Sequence, residues 1–188
     1  LNLGFSIDRI TSAIQNIAFV KGRGEIVPVP KNFTVMIDYA HTPDGLAKVL
    51  ETAAEFVKGR IITVFGCGGD RDNKKRPIMG EIAGRMSQYC VITSDNPRTE
   101  DLEAIIDEVE AGVKPTGCAY ERIADRKEAI ARAIAMAKPE DVVMIAGKGH
   151  EDYKEIKGVR YPFDERVVIR EIVDSLSEDE KTEILEKA

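Results

Sequence analysis

The sequence predicts an α/β fold: a Rossmann-like, mostly parallel sheet with helices on both faces, closed by a C-terminal hairpin and helices. Three observations predict it. From Phe33 to Ala146, short apolar runs alternate with longer amphipathic runs, the rhythm of parallel strands joined by crossover helices. The apolar runs, such as Ile61 to Phe65 and Val142 to Ala146, are nearly unbroken, as expected of strands covered on both faces. Finally, nearly every strand run opens into a turn dense in Gly, Asp, Asn or Pro, residues that fit tight turns for separate stereochemical reasons.

Each element follows from its own residues. Ile7, Ile10, Ile14 and Ile17 share one helical face over 6–19, with Ser6 as N-cap. Val20 to Glu25 is a glycine-punctuated turn, and Pro28 and Pro30 limit 26–30 to an edge strand or extended connection. The repeating part then runs as strand (Val35–Ile37), helix (Asp44–Val57), strand (Ile61–Phe65), helix (Pro77–Met86), a strand ending at Val91-Ile92, and helix (Leu102–Val109). A weaker strand at Ala119-Tyr120, a helix from Arg126 to Ala137 and a strand from Val142 to Ala146 complete it. Tyr153 to Tyr161 reads as a hairpin around Lys157-Gly158, and Asp164 to Leu176 as a closing helix. Ser177 with Glu180 forms a capping box for a final charged helix. Residues 1–30 lack the later rhythm and read as a lead-in from a preceding domain. Leu1 in place of Met reads as the start of a fragment.

Composition narrows the function classes. The chain has 188 residues, 43% hydrophobic and 32% charged, with a net charge of −6, a globular balance without the basic footprint of nucleic-acid binding. No apolar run is long enough for a membrane span and none resembles a signal peptide. Cys67, Cys90 and Cys118 lack metal-type spacing and form an odd set, which fits a reducing, cytoplasmic setting.

With right-handed crossovers, the turns after the parallel strands share the carboxyl edge of the sheet, where open α/β folds bind ligands. Those turns are 38–43, 66–72, 93–99 and 147–152. They hold both histidines, His41 and His150, together with Asp38, Arg71, Asp95, Asn96, Pro97, Arg98, Gly147, Lys148 and Glu151. Arg71 and Arg98 offer two guanidinium forks. Asp95 and Glu151 offer carboxylates, and Gly147 an exposed carbonyl. Such a set grips a zwitterion, arginines on its carboxylate and acids on its ammonium. Gly66-Cys67-Gly68-Gly69 lacks the full dinucleotide fingerprint, and Lys148 lacks the Walker spacing. Two histidines from distant turns are a poor metal pair, so no metal site is assigned. Cys67, glycine-flanked, has no histidine suitably placed in sequence for thiol catalysis.

Four motifs in this order carry a family resemblance: Asp-Tyr-Ala-His-Thr-Pro-Asp at 38–44, Phe-Gly-Cys-Gly-Gly-Asp-Arg-Asp at 65–72, Asp-Asn-Pro-Arg at 95–98 and Gly-Lys-Gly-His-Glu-Asp at 147–152. The chain resembles the C-terminal domain of the Mur ligases, in their diaminopimelate-adding branch, from about residue 22 to 173. The resemblance implies an ATP- and Mg²⁺-dependent amide ligase of peptidoglycan synthesis, acting in the cytoplasm as a monomer. Its substrates would be meso-diaminopimelate and a UDP-N-acetylmuramoyl-dipeptide. It implies that residues 1–30 end the central ATPase domain and that 31–188 form the C-terminal domain. It also implies diaminopimelate binding by Arg71, Asp95, Asn96, Pro97, Arg98, Gly147 and Glu151, and ATP contacts from Arg23, Asp38 and His41. The family's phosphate loop and UDP-sugar domain, which hold ATP with Mg²⁺ and the dipeptide, have no counterpart in these residues, so the chain alone is expected to be inactive. The lead-in turn Val-Lys-Gly-Arg-Gly-Glu departs from the family pattern, which has proline before the glycine and a larger apolar residue after the arginine. The rival readings are a lysine-adding Mur ligase, whose Asp-Asn-Pro-Arg turn would differ, and a stand-alone Rossmann-type nucleotide module.

Overall fold

The computed structural model describes residues 4–15 and 20–176. Helix α1 (Ile7–Gln15) starts at the expected cap, the Ser6 hydroxyl accepting the Arg9 N–H at 3.3 Å. Ile7 and Ile14 on its apolar face are exposed; Ile17 and the capping box at Ser177 and Glu180 lie outside the described residues. Strand β1 (Glu25–Val27) stops before Pro28 and pairs antiparallel with β2 (Thr34–Asp38) at the sheet edge, where proline's missing N–H costs least.

From β2 the chain alternates as the sequence predicts: α2 (Pro43–Phe56), β3 (Ile61–Phe65), α3 (Lys75–Met86), β4 (Tyr89–Ile92), α4 (Leu102–Val113), β5 (Ala119–Arg122), α5 (Arg126–Met136) and β6 (Val142–Ala146). The sheet order is β1-β2-β6-β3-β4-β5, parallel from β2 onward. The last of the parallel strands, β6, is therefore inserted between the first two of them, β2 and β3. Crossovers through α2, α3 and α4 all run one way across the sheet, and the α5 crossover returns. With one handedness, the first three helices must cover one face and α5 the other. The core divides accordingly. Met36, Phe65, Ile92 and Met144 pack with α2, α3 and α4, while Ile37, Val64, Val91 and Ile145 pack with α5 and with α6 (Glu165–Ser175). Strands β3 and β6 are buried throughout. Strand β5 is an edge and half-exposed, which explains its weak sequence signal. Between β6 and α6 lies the hairpin of β7 (Tyr153–Ile156) and β8 (Val159–Pro162).

Two helix boundaries differ from expectation. Helix α3 begins before Pro77, because a proline in the first turn forfeits no intrahelical bond. Helix α4 continues through Ala111-Gly112 to Val113, beyond the expected end at Val109. Gly112 lets α4 touch α3: a Cβ there would stand 1.9 Å from the Pro77 carbonyl oxygen, and one at Gly80 would stand 2.2 Å from that of Val109. Gly112→Ala is thus expected to destabilise the chain by about 1–3 kcal/mol through overpacking. A urea titration checks this; an unchanged midpoint would mean the two helices can separate without cost.

Candidate functional site

The turns after β2, β3, β4 and β6 converge at the carboxyl edge of the sheet around a cavity of about 470 Å³. Arg71, Asp95, Asn96, Arg98, Gly147 and Glu151 all line it, as does His41. Pro97 turns instead into a neighbouring hollow beside Leu102 and Ile156, and Arg23 and Asp38 lie outside the cavity wall. Gly147 is buried, not exposed as expected, and reaches the wall with φ 122°, a backbone that favours glycine.

The Asp-Asn-Pro-Arg turn is anchored through Asn96, which is 2% exposed. Its Oδ1 accepts from Lys148 Nζ at 2.9 Å and from the Glu155 N–H at 2.9 Å, and its Nδ2 donates to Glu151 Oε2 at 2.8 Å. Its backbone carbonyl accepts the Gly69 N–H at 2.9 Å. One residue, through its side chain and its carbonyl, thereby joins three of the four turns to the hairpin. Arg98 is held in the left-handed region (φ 52°) by a bridge to the hairpin: its N–H donates to the Glu155 carbonyl and its own carbonyl accepts the Lys157 N–H. Its Nη1 donates to the Gly69 carbonyl at 2.7 Å, and its Nε lies 3.6 Å from the Glu155 carboxylate. Among the described residues Nη2 makes no hydrogen bond. Arg71 is exposed, with one long bond of 3.3 Å to the Asp70 carbonyl, so its fork is presented to the cavity with little prior commitment.

The glycine turn is braced from below. Arg76, 1% exposed, donates to the Gly68 carbonyl and pairs with Glu100 and Glu108 at 2.9 and 3.0 Å. A Cβ at Gly69 would stand 2.0 Å from the Pro97 carbonyl oxygen, so only glycine allows the two turns to touch. Cys67, read as glycine-flanked, is buried against Met79, its sulfur 3.7 Å from the thioether. Burial pushes its thiol up to about 12, so it stays protonated and unreactive at neutral pH.

The cavity lining also carries acids. Asp95 and Glu151 flank Lys148, whose Nζ lies 3.8 Å from Asp95 Oδ1 and 3.4 Å from Glu151 Oε2. Lys148 is fully buried. Burial pulls its pKa down, against the upward pull of the two carboxylates. Beneath it, Arg126 and Glu165 form a fully buried pair at 2.7 Å. Arg126 also donates to the Ser94 carbonyl at 3.0 Å and the Ala146 carbonyl at 2.9 Å, the ends of β4 and β6.

On the lead-in side, Arg23, Asp38 and His41 gather around Tyr39. The Arg23 guanidinium lies 4.7 Å from the ring centre of Tyr39, and the rings of His41 and His150 lie 4.5 and 4.8 Å from it. Both Asp38 oxygens accept backbone N–H groups, from Gly24 at 2.7 Å and Ala40 at 2.8 Å. Despite its unusual sequence, the lead-in turn is well tied: Gly22 donates to Glu25, Tyr39 donates to the Gly22 carbonyl, and Glu25 pairs with Arg166 at 3.1 Å. Among the described residues no cluster of three or more His, Cys, Asp or Glu could hold a metal ion, and no helix is long and apolar enough to cross a membrane.

Sequence reasoning passed over Tyr153, Lys75 and the buried arginines Arg76 and Arg126. Lys75 lines the cavity and donates to the His41 carbonyl at 2.6 Å. Arg126 did leave a signal: it is the first residue of a helix, where the dipole disfavours a cation, so another reason for it was needed.

Known proteins resemble this chain in sequence and fold. The pattern of the family described as "Mur ligase, glutamate ligase domain" matches residues 22–149. A UDP-N-acetylmuramoyl-L-alanyl-D-glutamate–2,6-diaminopimelate ligase of Caldanaerobacter subterraneus subsp. tengcongensis is 48% identical over 179 residues, 95% of this chain and 36% of that protein. One of the ligases of that name in Clostridium acetobutylicum is 49% identical over 178 residues, covering 94% and 36%. The chain thus spans about a third of the length of these relatives. A solved structure of a ligase of the same name superposes with a TM-score of 0.78 at 40% identity, covering 93% of this chain and 36% of that one. The UDP-N-acetylmuramate–alanine ligase of Thermotoga maritima, at 18% identity and a TM-score of 0.62, shares the fold. By its ordered motifs, its fold and these matches, the chain belongs to the Mur ligase family, as its glutamate ligase domain.

Proposed function

We propose that this chain is the amino-acid- and ATP-binding C-terminal part of an ATP-dependent amide ligase that adds meso-diaminopimelate to UDP-N-acetylmuramoyl-L-alanyl-D-glutamate. The carrying observation is one cavity lined by two arginines, Arg71 and Arg98, and by two carboxylates, Asp95 and Glu151. An amino-acid group with an ammonium and a carboxylate is complementary to that arrangement, and a plain aliphatic ammonium satisfies half of it. Relatives named as diaminopimelate ligases support the choice of substrate.

In the reaction, ATP phosphorylates the free carboxylate of the dipeptide and leaves as ADP. The diaminopimelate amine then attacks the acyl carbon, forms the amide bond and releases phosphate. This chain's part is to fix the amine's position and direction, which lowers the barrier by prior ordering. Arg71 and Arg98 hold the distal carboxylate, and Asp95, Glu151 and the Gly147 carbonyl hold the neighbouring ammonium. Asn96 and Pro97 shape the turn. Arg23, Asp38 and His41, grouped around Tyr39, face the nucleotide, with Asp38 acting partly through the backbone it caps. The described residues offer no donor cluster for Mg²⁺, so we assign the ion to the ATP phosphates and the rest of a cytoplasmic ligase. Residues 1–30 are read as the end of a central ATPase domain and its linker, the linker lending strand β1 to the sheet, and 31–188 as the C-terminal domain.

Nuclear magnetic resonance titration of the ¹⁵N-labelled chain tests the site. Meso-diaminopimelate is expected to shift the amides of 68–71, 96–98 and 147–151. Shifts produced by a dinucleotide at 21–24 and 38–41, with none from diaminopimelate, would favour a plain nucleotide module instead. The same sample is expected to turn over no ATP, because the sequence holds no Gly-Lys-Ser/Thr loop to orient the phosphates. ADP release above a contaminant control would refute that.

A further inference from the structure

Lys148 is a fully buried cation beneath the cavity that the ligand-binding roles leave unused, and its surroundings are specific. Its ammonium is fully buried, donates to Asn96 Oδ1 at 2.9 Å and lies 3.4 Å from Glu151 Oε2 and 3.8 Å from Asp95 Oδ1. The glycines on either side, Gly147 (φ 122°) and Gly149 (φ 54°), let the backbone fold tightly around it. A Cβ at Gly149 would stand 2.6 Å from the Cβ of Tyr39, and one at Gly147 would stand 2.7 Å from Asp95 Oδ2.

Two consequences follow from those bonds. An amide oxygen accepts and an amide nitrogen donates. With Lys148 and the Glu155 N–H both donating to one end of the Asn96 amide, the other end must be Nδ2, and it donates to Glu151 Oε2. Glu151 is then held by Oε2, while its Oε1 accepts only one long bond, from the Tyr39 hydroxyl at 3.5 Å. The second consequence concerns charge. Asp95 and Glu151 carry two negative charges against the one positive charge of Lys148, and Arg126 and Glu165 below cancel each other. The acid pair with Lys148 therefore shows the cavity one net negative charge, the complement of one ammonium group.

We propose that Lys148 is a positioning residue of the ammonium pole: it locks the Asn96 amide, turns Glu151 so that one oxygen faces the ligand, and keeps the pole's net charge at −1. Without it, the two neighbouring carboxylates lose their shared counter-ion and the Asn96 amide loses the donor that fixes it, so the pole no longer offers the substrate ammonium a held carboxylate. The proposal rests on the reading of the cavity as an amino-acid site.

The test uses the complete ligase carrying this chain, with Lys148→Ala and Lys148→Met. Loss of a buried, hydrogen-bonded charge partner corresponds to an increase of about 30-fold or more in the KM for diaminopimelate, with the KM for ATP unchanged. In the alanine variant, n-propylammonium, which replaces the deleted atoms, is expected to restore much of the loss, and n-propanol is expected not to. The methionine variant fills the same space and should show the loss without the rescue. If the alanine variant fails to fold, the methionine variant carries the comparison. A KM for ATP rising in proportion, or a methionine variant with normal diaminopimelate KM, overturns the proposal. The Asn96 side-chain NH₂ resonance gives an arm independent of substrate. It should move in both variants even if the wild-type ligase proves to use another amino acid, in which case the substrate reading falls and the positioning role stands. An unmoved resonance would sink the positioning role by itself.

Discussion

In the complete ligase, Arg98→Ala is expected to lower kcat/KM for diaminopimelate by about 30- to several-thousand-fold, the cost of leaving a desolvated ligand charge without its partner at 2–5 kcal/mol. The ATP KM should change little. Arg98→Lys should recover little, since an ammonium reproduces neither the planar fork nor the bond from Nη1 to the Gly69 carbonyl. The structure gives Arg98 a second task, because that bond and the bridge to the hairpin brace the turn itself. Two comparisons separate the tasks. Lysine has no distal carboxylate to lose, so its use should fall much less than that of diaminopimelate. Arg71 braces nothing beyond its neighbour's carbonyl, so Arg71→Ala should reduce diaminopimelate use while leaving the thermal midpoint where it was. Equal losses for both amino acids in both variants would reduce Arg98 to a structural role.

The largest effect on stability is expected from Arg126→Met. It strands Glu165 with both side chains fully buried and removes the donor to the Ser94 and Ala146 carbonyls. Breaking a buried pair from one side costs about 3–5 kcal/mol, a large part of a typical domain's total stability. The pH dependence has a definite sign. Burial pushes the Glu165 carboxyl above its ordinary 4.5, with Arg126 pulling it back. Once Arg126 is gone, the folded chain keeps a proton that the unfolded chain releases. The variant should then be most stable below about pH 4.5 and lose stability as pH rises through the window up to the folded pKa. Removing both charges, as Arg126→Met with Glu165→Leu, should recover much of the loss. Urea midpoints across pH check all three statements. A single variant with wild-type stability at neutral pH would mean that water reaches Glu165.

Much of the molecule was legible because its signals are local. The buried strands β3 and β6 are apolar without interruption, and helix starts at Thr42, Asp101, Asp125 and Asp164 carry side chains that cap them. The convergence of the four turns followed from crossover handedness, which required no side-chain detail. What stayed hidden depends on contacts distant in sequence. Helix α4 runs through Gly112 because α3 lies against it, and the same residue in isolation reads as a breaker. Lys148 was judged against the phosphate-loop pattern, which it fails, and its partner Asn96 lies 52 positions away. The pairing of Arg126 with Glu165 spans 39 positions. Pro97 was grouped with the ligand residues through the family resemblance of the whole turn, yet the turn that brings Asn96 and Arg98 to the cavity sends Pro97 to the next hollow.

Amino-acid choice is the point on which the account stands, and one measurement reaches it: ADP release by the complete ligase on its UDP-linked dipeptide, with meso-diaminopimelate and with L-lysine. A site whose arginine pair is built for a second carboxylate leaves those donors unpaired when lysine binds, and unpaired polar groups are what make a pocket discriminate strongly. The predicted result is a kcat/KM for meso-diaminopimelate at least about a hundredfold above that for lysine. Equal use of the two, or a preference for lysine, would contradict it.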